Sequence, residues 1–347
     1  MKTKEIKNKR ESEHFSKMVA VRNLRIGVLA GGPSNEREIS LQSGKAIFKA
    51  LKEAGAEAVF LDIKKGLSKS EAKKFGIDIA FVALHGKFGE DGTIQKILED
   101  AGIPYTGSGP SASRVTLDKV VSRGIFVKAG LNVPMCKIIT KKTFDSAGSE
   151  KITQITGFPV VVKPQFEGSS IGISIVKRKR DLKEAIELAF CYGENVIIEE
   201  YIAGRELTVG ILEDNPLPVI EIVVKEQFYN FKAKYKRTDT EYIVPADVSP
   251  RYYEEAQAIG RLAHRSLGCE SFSRVDLILD EKRGKIFILE VNSIPGFTSH
   301  SLLPKAAAYA GIDFNQLCLK IVESAFNKRR INKVGKKDTV IQFTRVS

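Results

Sequence analysis

From Leu24 to Leu117 short apolar runs alternate with helical stretches, and this alternation restricts the fold more than any other feature of the chain. LRIGVLA (Leu24–Ala30) ends in Gly31-Gly32. A stretch from about Glu36 to Ala54 carries Ile39, Ala46, Ile47, Ala50 and Leu51 near helical spacing, and Gly55 closes it. VFLDI (Val59–Ile63) and IDIAFVALH (Ile77–His85) are the next strands, the second apolar enough to be covered on both faces. Strands alternating with helices predict a parallel α/β sheet, because parallel neighbours need a crossover long enough to hold a helix.

Beyond Asp118 the pattern changes. A helix to about Ala129 precedes FPVVVKP (Phe158–Pro164), a Gly/Ser-rich loop, GISIV (Gly172–Val176), a helix (Asp181–Phe190) and NVIIEEYI (Asn195–Ile202). Strands in such close succession predict an α+β region with an antiparallel sheet. A third region runs from about Glu206 to Phe326 and ends in a hairpin, followed by a helix from about Leu317. The fold class is therefore α/β and α+β. The boundaries read as a basic disordered extension (1–22), an N-terminal α/β domain (23–117), a central subdomain (118–205), a C-terminal subdomain (206–327) and a basic tail (328–347).

The hairpin gives the sharpest chemical signal. A turn at Asp280–Gly284 joins Ser273–Leu279 to Lys285–Asn292. Alternate residues of a strand share a face. The odd positions Val275, Leu277, Leu279, Phe287, Leu289 and Val291 are all apolar. The even positions hold Arg274, Asp276, Glu290 and Asn292 beside Ile278, Ile286 and Ile288. If facing partners share parity, one face is core and the other presents two carboxylates, an amide and a guanidinium. Two carboxylates and an amide oxygen form an all-oxygen ligand set suited to Mg²⁺. A solvated outer face is the plainer explanation, but the interspersed isoleucines speak for a face that is partly covered.

Other segments are weaker signals singly. In KPQFEGSSIGIS (Lys163–Ser174) a lysine ends an apolar strand and a Gly/Ser loop follows, whose N–H groups could cradle phosphates. The chain contains no GxxxxGK[ST], which excludes a P-loop. Glu199 and Glu206 stand where carboxylates could accept from an adenine amine or ribose hydroxyls, although surface salt bridges would look the same. GSGPSA (Gly107–Ala112) matches a dinucleotide fingerprint formally, but it follows no long strand and reads as a turn.

The net charge of +13 is concentrated at the ends: residues 1–25 carry eight basic and three acidic side chains, and residues 328–347 carry seven and one. The body between them is nearly neutral. Solvated tails explain this charge without a nucleic-acid or membrane partner, since neither tail interleaves aromatic residues. Four scattered cysteines without a CxxC pair, no signal-peptide core and no apolar run of the ~20 residues a bilayer requires predict a reduced, cytoplasmic setting.

Taken together, GGPSNEREISLQSG (Gly31–Gly44), ALHGKFGEDG (Ala83–Gly92), PYTGSGPSAS (Pro104–Ser113), LDK (Leu117–Lys119), KPQFEGSSIGIS, IIEEYIAGRELTV (Ile197–Val209), AKY (Ala233–Tyr235), RVD (Arg274–Asp276) and EVNSIPGFTSHSL (Glu290–Leu302) resemble the D-alanine:D-alanine ligases of the ATP-grasp superfamily, from about Leu24 to Asn327. Ser293 and Ile294 depart mildly from the family pattern, and the basic tails lie outside it.

The resemblance implies an ATP-grasp fold behind a Rossmann-like N-terminal domain, and synthesis of D-alanyl-D-alanine for peptidoglycan through a D-alanyl phosphate. It implies that Lys119, Lys163 and Lys234 meet ATP phosphates, that Glu199 and the Ile202 backbone face adenine, and that Glu206 meets the ribose. Asp276, Glu290 and Asn292 would hold two Mg²⁺ (or Mn²⁺). Glu36 would bind the first D-alanine with His85 near, while Arg274, Ser301 and Leu302 would bind the second. Gly296 N–H and Arg274 would form an oxyanion hole, and Ser169, Tyr235 and Glu36 a loop-closing network. A homodimer is implied as well. The competing readings are a ligase forming D-alanyl-D-lactate or D-alanyl-D-serine, against which Lys234-Tyr235 argues; a nucleotide-binding regulatory protein with a degenerate site, against which the intact Lys163, Arg274, Asp276, Glu290 and Asn292 argue; and a dinucleotide oxidoreductase, for which GSGPSA has the wrong context.

Overall fold

The computed structural model of the chain describes residues 23–144, 157–223 and 240–343, from 329 on by backbone alone. They form two compact units, one up to Pro110 together with the chain from Gly296 on, the other Ser111–Pro295.

The first unit contains the expected parallel sheet. Strand β1 (Arg25–Gly31) lies between β2 (Glu57–Ile63) and β3 (Ile79–Val82), with Ile26 opposite both Ala58 and Ile79. The run read as a strand to His85 leaves the sheet after Val82, so His85 belongs to a loop beyond the strand end. Helix Arg37–Glu53 buries Ser40, Ser43, Gly44, Ile47, Ala50 and Leu51, a stripe at three- and four-residue spacing. Gly44 permits close packing, because a β-carbon there would lie 2.4 Å from the Ala30 β-carbon.

Residues 296–327, expected to belong with the C-terminal subdomain, pack instead in this first unit. Phe297 meets Phe81 and Phe314 edge-on or tilted, each with ring centroids 5.7 Å apart. Helix Phe314–Phe343 starts three residues before the expected Leu317 and continues into the basic segment read as a disordered tail. That stretch is rich in lysine and arginine, which are good helix formers, and contains no proline. Residues 1–22 lie outside the described residues.

The second unit is antiparallel, as expected. One sheet has the order β4 (Cys136–Thr140), β7 (Asn195–Glu200), β5 (Val160–Pro164), β6 (Ser174–Val176). The other runs β11 (Glu241–Ile243), β10 (Ile220–Val223), β8 (Arg205–Leu212), β12 (Phe272–Asp280), β13 (Lys285–Asn292), with β9 (Asn215–Pro216) on β8. Helix Pro250–Ser266 covers the second sheet through Ala256 and Ala263.

The hairpin β12–β13 corrects the parity reading in part. Arg274 pairs with Asn292, Val275 with Val291 and Asp276 with Glu290, as parity requires. Then the register shifts, and Leu277 faces Ile288 and Leu279 faces Ile286. Leu289 is the extra residue of a β-bulge, and every side chain of β13 before it turns to the opposite face. Ile286 and Ile288 therefore join the core with Val275, Leu277, Leu279 and Val291, and Leu289 lines the polar side instead.

His264 is buried in this unit with Nδ1 2.7 Å from Ser273 Oγ. Burial pushes its pKa down to about 4, with the nearby Arg265 charge adding to the effect and Asp214 opposing it. An unfolded histidine titrates near 6.5. Between those values the unfolded chain binds the proton and the folded chain does not. This contribution to stability is thus complete above about pH 6.5 and is lost as pH falls toward 4. Urea titrations across that window should lose about 2–3 kcal/mol from this group, and His264→Gln should flatten that slope. An unchanged slope in the variant would exclude His264 as its source.

Candidate active site

Within the second unit a cavity of about 400 Å³ opens between the two sheets. Val161, Ile173, Ile202, Ile222, Ile278 and Leu289 give it apolar walls, and Lys163, Glu199, Glu206, Asp276 and Glu290 give it charge. A flat apolar slot bordered by cations and carboxylates is what a purine nucleotide requires. Lys163, Glu199, Ile202 and Glu206, singled out in the sequence, all line it.

Three cations converge here. Asp118 caps helix Lys119–Lys128 by accepting from the N–H groups of Val120 and Val121. The cap fixes the helix start, so Lys119 projects to the site. Its Nζ donates to the Glu167 carbonyl at 2.6 Å and lies 3.5 Å from Glu290 Oε2. Arg123, one turn later on the same helix face, reaches Glu199 Oε2 at 3.3 Å and donates to the Pro134 carbonyl. Lys163, near the end of β5, pairs with Glu199 Oε1 at 2.7 Å. Glu199, expected only to face adenine, thus holds two buried cations as well. Arg123 escaped the sequence reading; its spacing of four from Lys119 on one helix was the available signal.

The proposed metal ligands share one face of the hairpin. Asp276 is the hub. Thr208 Oγ1 donates to its Oδ1 at 2.7 Å, Arg274 forks onto both oxygens at 2.9 and 2.7 Å, and Asn292 Nδ2 donates to Oδ2 at 3.1 Å. Glu290 is its cross-strand partner. Together these four donors fix the Asp276 carboxylate on this face of the hairpin. Among the described residues no group of three or more His, Cys, Asp or Glu is placed to hold a metal. A magnesium ion here therefore needs the Asn292 amide oxygen and oxygens of the nucleotide besides the two carboxylates. That all-oxygen set fits the ion, which keeps few protein ligands and favours phosphates. Thr208 was not anticipated; it pairs with Asp276 across β8–β12, a register no local pattern reveals.

The Gly/Ser loop carries two consecutive serines with left-handed backbone, Ser169 (φ 49°) and Ser170 (φ 60°), before Gly172 (φ 71°). Non-glycine residues in that region cost ~1–3 kcal/mol each and persist where surrounding structure enforces them. Ser170 lines the cavity.

The first unit holds the remaining candidates. Glu36, the residue before helix Arg37–Glu53, is buried over Gly86, where a β-carbon would lie 2.6 Å from Glu36 Oε2. Gly86 has φ +68°, and this left-handed backbone favours glycine there. Buried His85 has Nε2 3.1 Å from Ser43 Oγ, which accepts from the Phe297 N–H at 3.2 Å. Ser43 was missed, although it lies two helical turns beyond Glu36. The Ser301 hydroxyl accepts from the Thr298 N–H at 3.0 Å and makes no bond to the N–H groups of helix Leu302–Tyr309. In the first turn the Leu302 and Leu303 N–H groups have no acceptor within the helix, and groups of that kind suit an anion. The Leu302 side chain belongs to the core, so its contact to a substrate would come from its N–H. Gly296 stands beside Ser301, with the position of a β-carbon 3.3 Å from Ser301 Oγ. Lys234 and Tyr235 lie outside the described residues.

Residues 125–323 match the family model of the D-ala D-ala ligase C-terminus, and residues 65–108 that of the D-ala D-ala ligase N-terminus. The D-alanine–D-alanine ligase of Geobacter sulfurreducens is 43% identical over 307 residues, 88% of this chain and 95% of that protein. The one of Haemophilus influenzae is 43% identical over 296 residues, 85% and 99%. The solved D-alanine–D-alanine ligase from Bacillus anthracis, complexed with ATP, aligns at a TM-score of 0.77 with 33% identity, covering 89% of this chain and 99% of that one. A D-Ala:D-Ser ligase from Enterococcus faecalis aligns at 0.74 with 30% identity, covering 88% and 100%. The fold is thus the ATP-grasp fold, and similarity of this extent over most of both proteins places the chain in the D-alanine–D-alanine ligase family.

Proposed function

We propose that the protein joins two D-alanine molecules into D-alanyl-D-alanine, cleaving ATP to ADP and phosphate, to supply peptidoglycan synthesis. The observation that carries this reading is the cavity lined by Lys163, Glu199, Glu206, Asp276 and Glu290, with Lys119 Nζ 3.5 Å from Glu290 and Asn292 bonded to Asp276, in a chain so similar to known ligases.

The roles proposed are those that the resemblance to the ligases implies for these residues. Lys119 and Lys163 neutralise the phosphates, and Lys234 is proposed to join them. Glu199 accepts from the adenine amine, the Ile202 backbone borders the base, and Glu206 accepts from the ribose. Asp276, Glu290 and Asn292 would hold magnesium, which would supply positive charge against the transferring phosphoryl group. Glu36 binds the ammonium of the first D-alanine, with His85 beside it. The carboxylate of that D-alanine attacks the γ-phosphate in line and gives an acyl phosphate and ADP. The amine of the second D-alanine, whose carboxylate is held by Arg274, Ser301 and the Leu302 N–H, then attacks the acyl carbon. Arg274 and the Gly296 N–H stabilise the oxyanion until phosphate leaves. Ser169 and Tyr235 take part in closing a loop that excludes water from the acyl phosphate. The enzyme is proposed to act in the cytoplasm as a homodimer; no helix among the described residues is long and apolar enough to cross a membrane.

The test is phosphate release across D-alanine, L-alanine, D-serine and D-lactate. Strict dependence on D-alanine, with the dipeptide as product, is expected. Equal turnover with D-serine or D-lactate as second substrate would favour the depsipeptide or D-alanyl-D-serine reading. No ADP formation with any of them would sink the ligase reading.

A further inference from the structure

We infer that Arg123 is the positioning residue that allows Lys163 and Glu199 to change partners when the nucleotide arrives. The inference rests on the reading above, in which Lys163 meets phosphate and Glu199 meets the adenine amine.

In the structure the two carboxylate oxygens of Glu199 are divided. Lys163 takes Oε1 at 2.7 Å and Arg123 takes Oε2 at 3.3 Å, and all three side chains are buried. One carboxylate against two cations leaves the cluster a formal charge of plus one beside the cavity, which suits a polyanionic ligand. For Lys163 to turn to a phosphate, Glu199 must not be left as an uncompensated buried charge, a state that costs several kcal/mol. Arg123 supplies the remaining counter-charge. Held at Oε2, Glu199 keeps Oε1 aimed into the cavity as an acceptor for the base amine once Lys163 departs.

The placement of Arg123 suits this role. Its other contact, to the Pro134 carbonyl, fixes the chain segment that lines the same cavity just before β4. The helix that carries it is started by the Asp118 cap and carries Lys119 one turn earlier. A single helix turn thereby sets one phosphate-directed lysine and the counter-ion of the base-directed glutamate. A guanidinium performs this better than an ammonium, because its planar fork serves a carboxylate and a carbonyl at once.

The experiment compares KM for ATP and for purine riboside triphosphate, which lacks the exocyclic amine, in the wild type, Arg123→Gln and Arg123→Lys. KM for D-alanine and thermal melting are measured beside them. Wild type should prefer ATP. Arg123→Gln should raise KM for ATP on the order of tenfold or more, the size of one charge-assisted hydrogen bond, and raise KM for the analogue less, so that the preference shrinks. Arg123→Lys should restore part of it, and KM for D-alanine should hardly move. Wild-type discrimination that survives Arg123→Gln, or equal losses with both triphosphates, would overturn the role of Arg123 alone. A wild type that binds the two triphosphates equally would remove the adenine contact from Glu199 and overturn the reading beneath it. If Arg123→Gln does not fold, the ratio of the two KM values in Arg123→Met, which also removes the charge, decides, and a wild-type ratio there overturns the role.

Discussion

Arg274→Lys is expected to slow dipeptide formation about 10²–10³-fold, a loss of roughly 2.7–4 kcal/mol from the transition state, as for a typical oxyanion-hole donor. The structure gives the reason. Arg274 Nε and Nη2 form two parallel bonds to Asp276 at 2.9 and 2.7 Å, which orients the guanidinium plane on the hairpin face that carries Asp276 and Glu290. Lysine retains the charge but loses the planar fork, so its ammonium cannot reproduce the two-point hold on Asp276 that aims the remaining N–H groups. Nucleotide affinity should stay near the wild-type value, because the contacts assigned to ATP come from Lys119, Lys163, Glu199 and Glu206. Nucleotide binding measured beside dipeptide formation decides the matter. A variant that makes dipeptide at the wild-type rate, or whose main defect is ATP binding, would remove Arg274 from the second half-reaction.

Glu199→Ala should lower folding stability by about 3–5 kcal/mol, the usual cost of removing one member of a buried ion pair. Glu199, Lys163 and Arg123 are 3%, 5% and 8% exposed, so neither cation can turn to water without disturbing the sheet β4-β7-β5-β6. Urea unfolding of the second unit reports this directly, and ATP should no longer raise its midpoint. A loss below ~1 kcal/mol would place the cluster with solvated surface pairs, and the argument for a partner exchange at Glu199 would fall with it.

Two kinds of information in the chain separate clearly. Local periodicity made the parallel sheet, the antiparallel unit and the hairpin legible, since side-chain direction repeats every two residues in a strand and every 3.6 in a helix. Near the end of the hairpin it also placed Arg274, Asp276, Glu290 and Asn292 together, because chemistry alternates with position there. It failed at Leu289. All of Ile286, Phe287, Ile288 and Leu289 are apolar, so an inserted residue leaves no mark in the pattern, and only pairing with β12 reveals it. The same limit hid the partners of Glu199. Strand position showed that its side chain could face a site, but Lys163 is the neighbour chosen by pairing of β5 with β7, and Arg123 by the seating of a helix.

Residue type and period, read from the sequence alone, therefore determined the elements and the acid–amide face of the hairpin, while Lys119 and Lys234 entered only through the resemblance. The tertiary structure decided which core each apolar face joins, sending residues 296–328 back to the first unit. It also decided which charges neutralise which. Both outcomes depend on contacts between segments far apart in the chain, where burial rewards any apolar partner and a carboxylate accepts any cation, so no local pattern distinguishes one pairing from another.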